Sequence, residues 1–121
     1  MHEFSICENL VKIAREELDK LEHHDVHLLK MRVMVGELHA IVNENLQMAY
    51  SVLTRDTKLQ DSTLELIRVP VVAECKDCGH QNQIQNNFFV CSKCESGNLE
   101  IIKGKELYIE NLEVAYEENG D

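Results

Sequence analysis

Four cysteines, Cys75, Cys78, Cys91 and Cys94, stand as C-x2-C-x12-C-x2-C. They lie in a stretch, Glu74 to Asn98, that is rich in Cys, Asn, Gln, Lys and Gly and has no periodic apolar pattern of its own. Something other than a hydrophobic core must hold such a segment. Two residues between the cysteines of each pair let the chain turn tightly enough for both sulfurs to face one ion, and two such knuckles supply a tetrahedral thiolate set. Gly79 in "CKDCGH" and Gly97 in "CSKCESG" stand where such turns often need positive φ. With protein sulfur in all four positions no place is left for water or substrate, so the ion is expected to be structural, with zinc ahead of iron. Four reduced cysteines without a metal would leave the segment without a fold.

The rest of the chain carries ordinary periodicities. A chain of 121 residues suits one compact domain with a smaller module attached. At 44% hydrophobic residues but only 5% aromatics and no Trp, its core must be built from Leu, Ile and Val. Phe4, Cys7, Val11, Ala14, Leu18 and Leu21 recur at helical spacing. Ser5 and Glu8 form the pattern of a capping box, which predicts a helix that leaves Met1, His2, Glu3 and Phe4 just outside it. After the loop "EHHD", Leu29, Met31, Val33 and Val35 alternate as in a half-buried strand closed by Gly36. Asn43 is the predicted N-cap of a second helix presenting Leu46, Ala49, Tyr50 and Leu53 and fading by Thr57. "TLELIRVPVV" reads as a strand whose Pro70 marks the exit into the cysteine module. "ELYIENLEVAY" reads as a returning strand whose apolar phase flips at Asn111, the mark of a bulge. The expected class is α+β: a small mixed α/β domain of two helices and about three strands, residues 1–71 plus 106–121, with a ribbon module inserted at 72–105.

Charge and missing motifs exclude several functions. A formal net charge of -10 disfavours phosphate backbones, so nucleic acid is not an expected partner, whereas metal cations or a protein with a basic patch are. No stretch approaches the roughly 18 apolar residues of a membrane span, and the first residues lack the basic and apolar regions of a signal peptide. A reducing cytoplasmic setting, in which paired cysteines bind metal instead of forming disulfides, is therefore expected. There is no phosphate-binding loop of the G-x-x-x-x-G-K-[ST] type, no open metal position and no nucleophile constellation, so no enzymatic activity is expected.

The remaining cysteine and the six histidines divide by setting. Cys7 falls on the apolar stripe of the first helix and reads as a small buried hydrophobe. His23, His24 and His27, with Asp25, read as solvated loop residues, and His39 as a packing or surface residue. His80 directly follows the first knuckle and could either donate to a metal-bound sulfur or face a second metal; both readings stand. His2 differs because its bulk predicts that Met1 is retained with a free α-amine. That amine and the His2 backbone nitrogen close a five-membered chelate ring, and the same nitrogen with His2 Nδ1 closes a six-membered one. A flat set of strong nitrogen donors suits Ni(II) or Cu(II) over Zn(II). Glu3 is then a fourth donor or an orienting partner. From these residues alone, a frayed terminus with no ligand is the competing reading.

"MHE" before a helix, "MRVMVGEL", and "CKDCG" with "CSKC" ahead of a final strand occur in an order and spacing that resemble the HypA/HybF family of [NiFe]-hydrogenase maturation metallochaperones. The resemblance spans essentially the whole chain. It implies a nickel-binding α/β domain with an inserted zinc ribbon, Ni(II) transported at His2 with Met1 and with support from Glu3, and structural Zn(II) on Cys75, Cys78, Cys91 and Cys94. It also implies delivery to the hydrogenase large-subunit precursor together with a HypB-type GTPase, and in some organisms a part in urease maturation. His80 would match the family's accessory histidine near the ribbon. Cys7 and His39 match no motif of the family. Two other readings remain beside it, a zinc-ribbon protein-interaction adaptor without nickel transfer and a rubredoxin-like electron carrier. Either a monomer or a homodimer is compatible with the sequence.

Overall fold

A computed structural model describes residues 2–21 and 25–116. In chain order the elements are α1 (Glu3–Asp19), β1 (Val26–Gly36), a 3-10 turn (Glu37–His39), α2 (Asn43–Leu53), β2 (Thr63–Val69), β3 (Val72–Cys75), β4 (Gln81–Gln83), β5 (Leu99–Lys103) and β6 (Leu107–Tyr116). They form two three-stranded sheets, one ordered β2-β1-β6 and the other β4-β3-β5. The class is the expected α+β, with two helices and a ribbon-like cysteine module. The chain divides into two compact units, one built from 1–33, 41–67 and 108–121, the other from 34–40 and 68–107.

In the first unit α1 packs against α2. Cys7, Leu10, Val11, Ala14 and Leu18 supply the buried face of α1, and Leu46, Ala49 and Tyr50 that of α2. They share this unit's core with Val26, Leu28, Met31 and Val33 of β1, Leu59, and Leu64 of β2. The helix begins earlier than the capping-box pattern predicts. Glu3 is its first residue and His2 its N-cap, without a side-chain cap bond. Ser5 lies one turn in, and its hydroxyl donates to the His2 carbonyl at 3.2 Å. Phe4 and Leu21, expected on the apolar stripe, are exposed, whereas Leu10 is buried. Likewise α2 is capped by Val42, and Asn43, the predicted N-cap, is its first helical residue.

Strand phase holds a second correction. On β1 the buried residues are Val26 and Leu28, then Met31, Val33 and Val35, so the buried phase slips between them and Leu29 turns outward at 47% exposure. β6 slips too, where expected: Leu107 and Ile109 are half-buried, Glu110 and Asn111 both exposed, and Leu112 and Val114 half-buried again. Across the sheet's other face runs a ladder of ion pairs. Arg32 of β1 meets Glu65 of β2 at 2.9 Å and Glu110 of β6 at 3.6 Å, and Lys30 meets Glu65 at 3.3 Å and Glu113 at 3.8 Å. Arg32 first and Lys30 next hold the Glu65 carboxyl below its ordinary range. These groups are partly hydrated, so each pair adds little to stability and the ladder chiefly fixes register.

The second unit has little apolar material. Its core is Val71, Ala73 and Ile84, with Leu99 and Ile101 packed beside them. Pro70 falls between β2 and β3, where the chain leaves one sheet for the other, as expected. Gly36 does more than close a strand. A Cβ there would lie 2.0 Å from the Gly104 carbonyl oxygen, in a turn where the Gly36 N–H donates to Glu106 and the Leu38 N–H to Gly104.

The phase slip makes two adjacent leucines energetically unlike. Leu28→Ala should lower unfolding free energy in urea by about 2–5 kcal/mol, a buried large-to-small cost. Leu29→Ala should change it by less than about 1 kcal/mol. Equal losses would contradict the register.

Candidate metal centres

The four cysteines converge. Cys75 ends β3 and the other three lie in the turns beyond it. Each knuckle is closed by the same bond, the Gly79 N–H donating to the Cys75 carbonyl at 2.8 Å and the Glu95 N–H to the Cys91 carbonyl at 2.9 Å. The left-handed residue is Gly79 (φ 80°) in the first knuckle, as expected, but Glu95 (φ 65°) in the second. Gly97 does not take positive φ; the turn is completed two residues earlier. All four sulfurs lie within 4.8 Å of one another, with Cys75 and Cys94 sulfurs 3.5 Å apart and those of Cys78 and Cys91 3.6 Å apart. A tetrahedron with zinc–sulfur bonds of about 2.3 Å has edges of about 3.8 Å. The donor set thus fits a four-coordinate thiolate ion.

Local hydrogen bonds prepare one of the four thiols, Cys91, to ionise, whereas those of Cys78 and Cys94 are pushed up. Burial pushes the Cys91 thiol up, but N–H groups of Cys94 and Lys93 and the Asn82 side chain outweigh it and bring it down to about 6. Cys75 and Cys91 are buried, Cys78 and Cys94 exposed. His80 is exposed, and its backbone is what engages the site: the carbonyl accepts the Cys75 N–H at 2.8 Å, and a backbone bond reaches Cys78. Residues outside the motif tie the knuckles together. Asp77 accepts bonds from Ser96 Oγ (2.5 Å) and Asn98 Nδ2 (3.3 Å), and Asn82 Oδ1 accepts the Ser92 N–H at 2.8 Å. Only the Asn richness of the segment hinted at any of them.

At the other candidate centre, His2 is exposed at the start of α1, and its carbonyl accepts the Ile6 N–H at 2.9 Å. Met1 lies outside the described residues. Glu3 is 6% exposed, and its carboxylate accepts the Val42 N–H at 2.9 Å, joining the first residue of α1 to the N-cap of α2. The expectation that Glu3 stands outside the helix is therefore corrected. A carboxylate at this end of a helix is also favoured by the helix dipole. Beside it Phe4, Asn45, Met48, Ala49 and Val52 line an open cleft of about 430 Å³, with Met48 68% exposed.

The remaining candidates separate cleanly. His39 is exposed and its Nε2 bonds the Lys105 carbonyl at 2.8 Å, and His27 is half-buried. His23 and His24 lie outside the described residues. Cys7 is wholly buried, and burial, then the Glu8 charge, pushes its thiol up to about 11.

Comparison with known proteins decides the family. The profile described as "Hydrogenase/urease nickel incorporation, metallochaperone, hypA" matches residues 1–114. This chain belongs to the HypA family. It is 36% identical over 115 residues to the hydrogenase maturation factor HypA of Desulfatibacillum aliphaticivorans, covering 95% of this chain and 88% of that one. It is 32% identical over 114 residues to the factor of the same name from Dehalococcoides mccartyi strain CBDB1, covering 94% of each. The fold is similar to the solution structure of the nickel metallochaperone HypA from Helicobacter pylori, with TM-score 0.65 and 28% identity over 97% of this chain and all of that one. A second HypA solution structure gives TM-score 0.70 at 28% identity over 97% of this chain and 98% of that one. HypA proteins are hydrogenase maturation factors and metallochaperones, not enzymes, and their role implies hydrogenase-related partners. No helix among the described residues is long and apolar enough to cross a membrane.

Two measurements probe the centres. Glu3→Ala, which orphans the Val42 N–H, should cost about 1–3 kcal/mol in urea unfolding, and Glu3→Gln, which keeps an acceptor, should recover part of it. In metal-stripped native protein at pH 8, four thiols should react with iodoacetamide and the Cys7 thiol only after unfolding. Because the folded Cys7 value lies above its ordinary 9.0, its contribution to stability is complete below pH 9 and is lost as pH rises to about 11.

Proposed function

We propose that this chain carries Ni(II) at its N-terminus and hands it to the [NiFe]-hydrogenase large-subunit precursor during maturation. The donors are the Met1 amine, the His2 backbone nitrogen and His2 Nδ1, which close two fused chelate rings and suit the flat geometry of Ni(II). The observation that carries this reading is the unequal pair at the start of α1: His2 exposed, Glu3 locked to Val42. A carboxylate held on a backbone N–H is a positioning group, so Glu3 fixes where the chelate sits and the fourth nickel position stays open to exchange.

The resident ion is Zn(II) on Cys75, Cys78, Cys91 and Cys94, and its chemistry is structural cross-linking. Four sulfurs complete that set, which leaves His80 outside it as an accessory donor at most. In domain terms, 1–71 with 106–121 is the nickel-binding domain and 72–105 the zinc ribbon. A HypB-type GTPase supplying nucleotide hydrolysis, urease maturation proteins as further partners and a cytoplasmic setting belong to the same proposal, and the hydrogenase/urease description of the family supports the recipients. The competing reading is a zinc-ribbon adaptor with no nickel transfer.

Nickel titration of zinc-loaded protein separates the two. Native protein should bind about one Ni(II) beyond its zinc, and His2→Ala should lose that binding. A two-residue N-terminal extension should lose it as well, because the amine leaves the chelate. Binding should weaken as pH falls, because nitrogen ligands must shed protons before they can bind the ion. Unchanged nickel affinity in the extended protein would overturn the proposal and favour the adaptor.

A further inference from the structure

The cysteine module contains one buried polar side chain that touches both knuckles without belonging to either. Asn82, in the middle of β4, is 5% exposed. Its Oδ1 accepts two bonds from Ser92, the N–H at 2.8 Å and the hydroxyl at 3.0 Å, and Ser92 directly follows Cys91. Its Nδ2 donates to the His80 carbonyl at 3.2 Å, and that carbonyl also accepts the Cys75 N–H at 2.8 Å. A continuous path therefore runs from the Cys75 backbone through the His80 carbonyl and the Asn82 amide to the backbone beside Cys91. Cys75 and Cys91 are the two buried members of the set.

We propose that Asn82 is the positioning residue of the four-cysteine site: it holds the second knuckle against the first and so sets how tightly the ion is retained. The proposal rests on the four-cysteine reading of the metal site. Its physical basis is the thinness of the module. With Val71, Ala73 and Ile84 as its buried core, hydrophobic packing does little to fix the second knuckle, which lies on a chain segment with no strand of its own between β4 and β5. The other tie between knuckles, Asp77 with Ser96 and Asn98, is exposed to competing water. Asn82 is shielded, and every buried side-chain polar atom among the described residues has a partner. An amide is the group this position needs, because its oxygen accepts twice from Ser92 while its NH2 donates to the His80 carbonyl and toward the Cys91 sulfur. Aspartate would keep both acceptor bonds, lose the donor, and set a charge beside thiolates. Leucine, of similar size, would lose every one of these bonds and leave the Ser92 N–H and the His80 carbonyl short of partners.

The test uses the full chain in native, Asn82→Asp and Asn82→Leu forms, with a Ser92→Ala form that removes only the hydroxyl bond. Three quantities are read: Co(II) absorption, Zn(II) release to excess chelator, and urea unfolding followed on the α1 helix signal. Asn82→Leu should release Zn(II) about 10- to 100-fold faster than native protein, the usual span for loss of a group that orients metal ligands. Asn82→Asp should fall between, and Ser92→Ala should lie near native. All four should keep the intense sulfur-to-cobalt charge-transfer band, because no ligand is removed, and the helix transition should not move. Release within twofold of native in both Asn82 variants overturns the proposal, and so does loss of the helix transition along with the ion, which would make Asn82 a general fold residue. If Asn82→Leu does not fold, Asn82→Asp and Ser92→Ala decide by the same order of rates. A native protein without any sulfur-to-cobalt band overturns the four-cysteine reading itself, a result distinct from equal release rates.

Discussion

The convergence of four thiols is the constraint on which the ribbon half of the molecule depends. Three buried apolar side chains clustered under one three-stranded sheet and two polar turns do not outweigh the entropy of ordering them. Cross-linking the turns through one ion would change that balance, and the hydrogen bonds around the site draw Cys91 toward its thiolate. Cys75 and Cys91 are buried and Cys78 and Cys94 exposed, so the site is anchored through two of its four residues.

The helical half follows a different logic. It has a normal Leu, Val and Met core, an ion-pair ladder that fixes three strands in register, and one long-range polar tie, Glu3 to Val42, at the end where nickel chemistry is proposed. That tie turns what would be a loose terminus into a helix start with a fixed second residue. His2 can then be exposed without being undirected. A closed sulfur site keeps its ion, whereas a nitrogen chelate at a helix start can fill and empty, which is the asymmetry a carrier requires.

Much of this was legible in the sequence, for physical reasons that can be located. The cysteine spacing is a local geometric requirement, so the convergence of the four sulfurs could be read directly. Pro70 and the phase flip on β6 were legible because proline ends a ladder and because Glu110 and Asn111 separate two apolar phases. Adjacent Leu28 and Leu29, by contrast, give a sequence reading no means of choosing which faces the core. Ser5 and Glu8 fit a capping box, but the helix start is set by Glu3 through a partner 39 residues away. Gly97 looked like a turn glycine because its neighbours resemble Gly79's, yet Glu95 takes the left-handed position. Asn82 left no signal beyond the Asn-rich composition of its segment, since its role exists only once β4 and the second knuckle are side by side.

The central claim is that one chain keeps two metals apart by donor chemistry, sulfur for the ion that stays and nitrogen for the ion that leaves. X-ray absorption at the zinc and nickel edges of one doubly loaded sample tests it most directly. The account predicts zinc surrounded by four sulfurs at about 2.3 Å and nickel with nitrogen and oxygen neighbours and no sulfur. Sulfur in the nickel shell, or a zinc shell with fewer than four sulfurs, would contradict it.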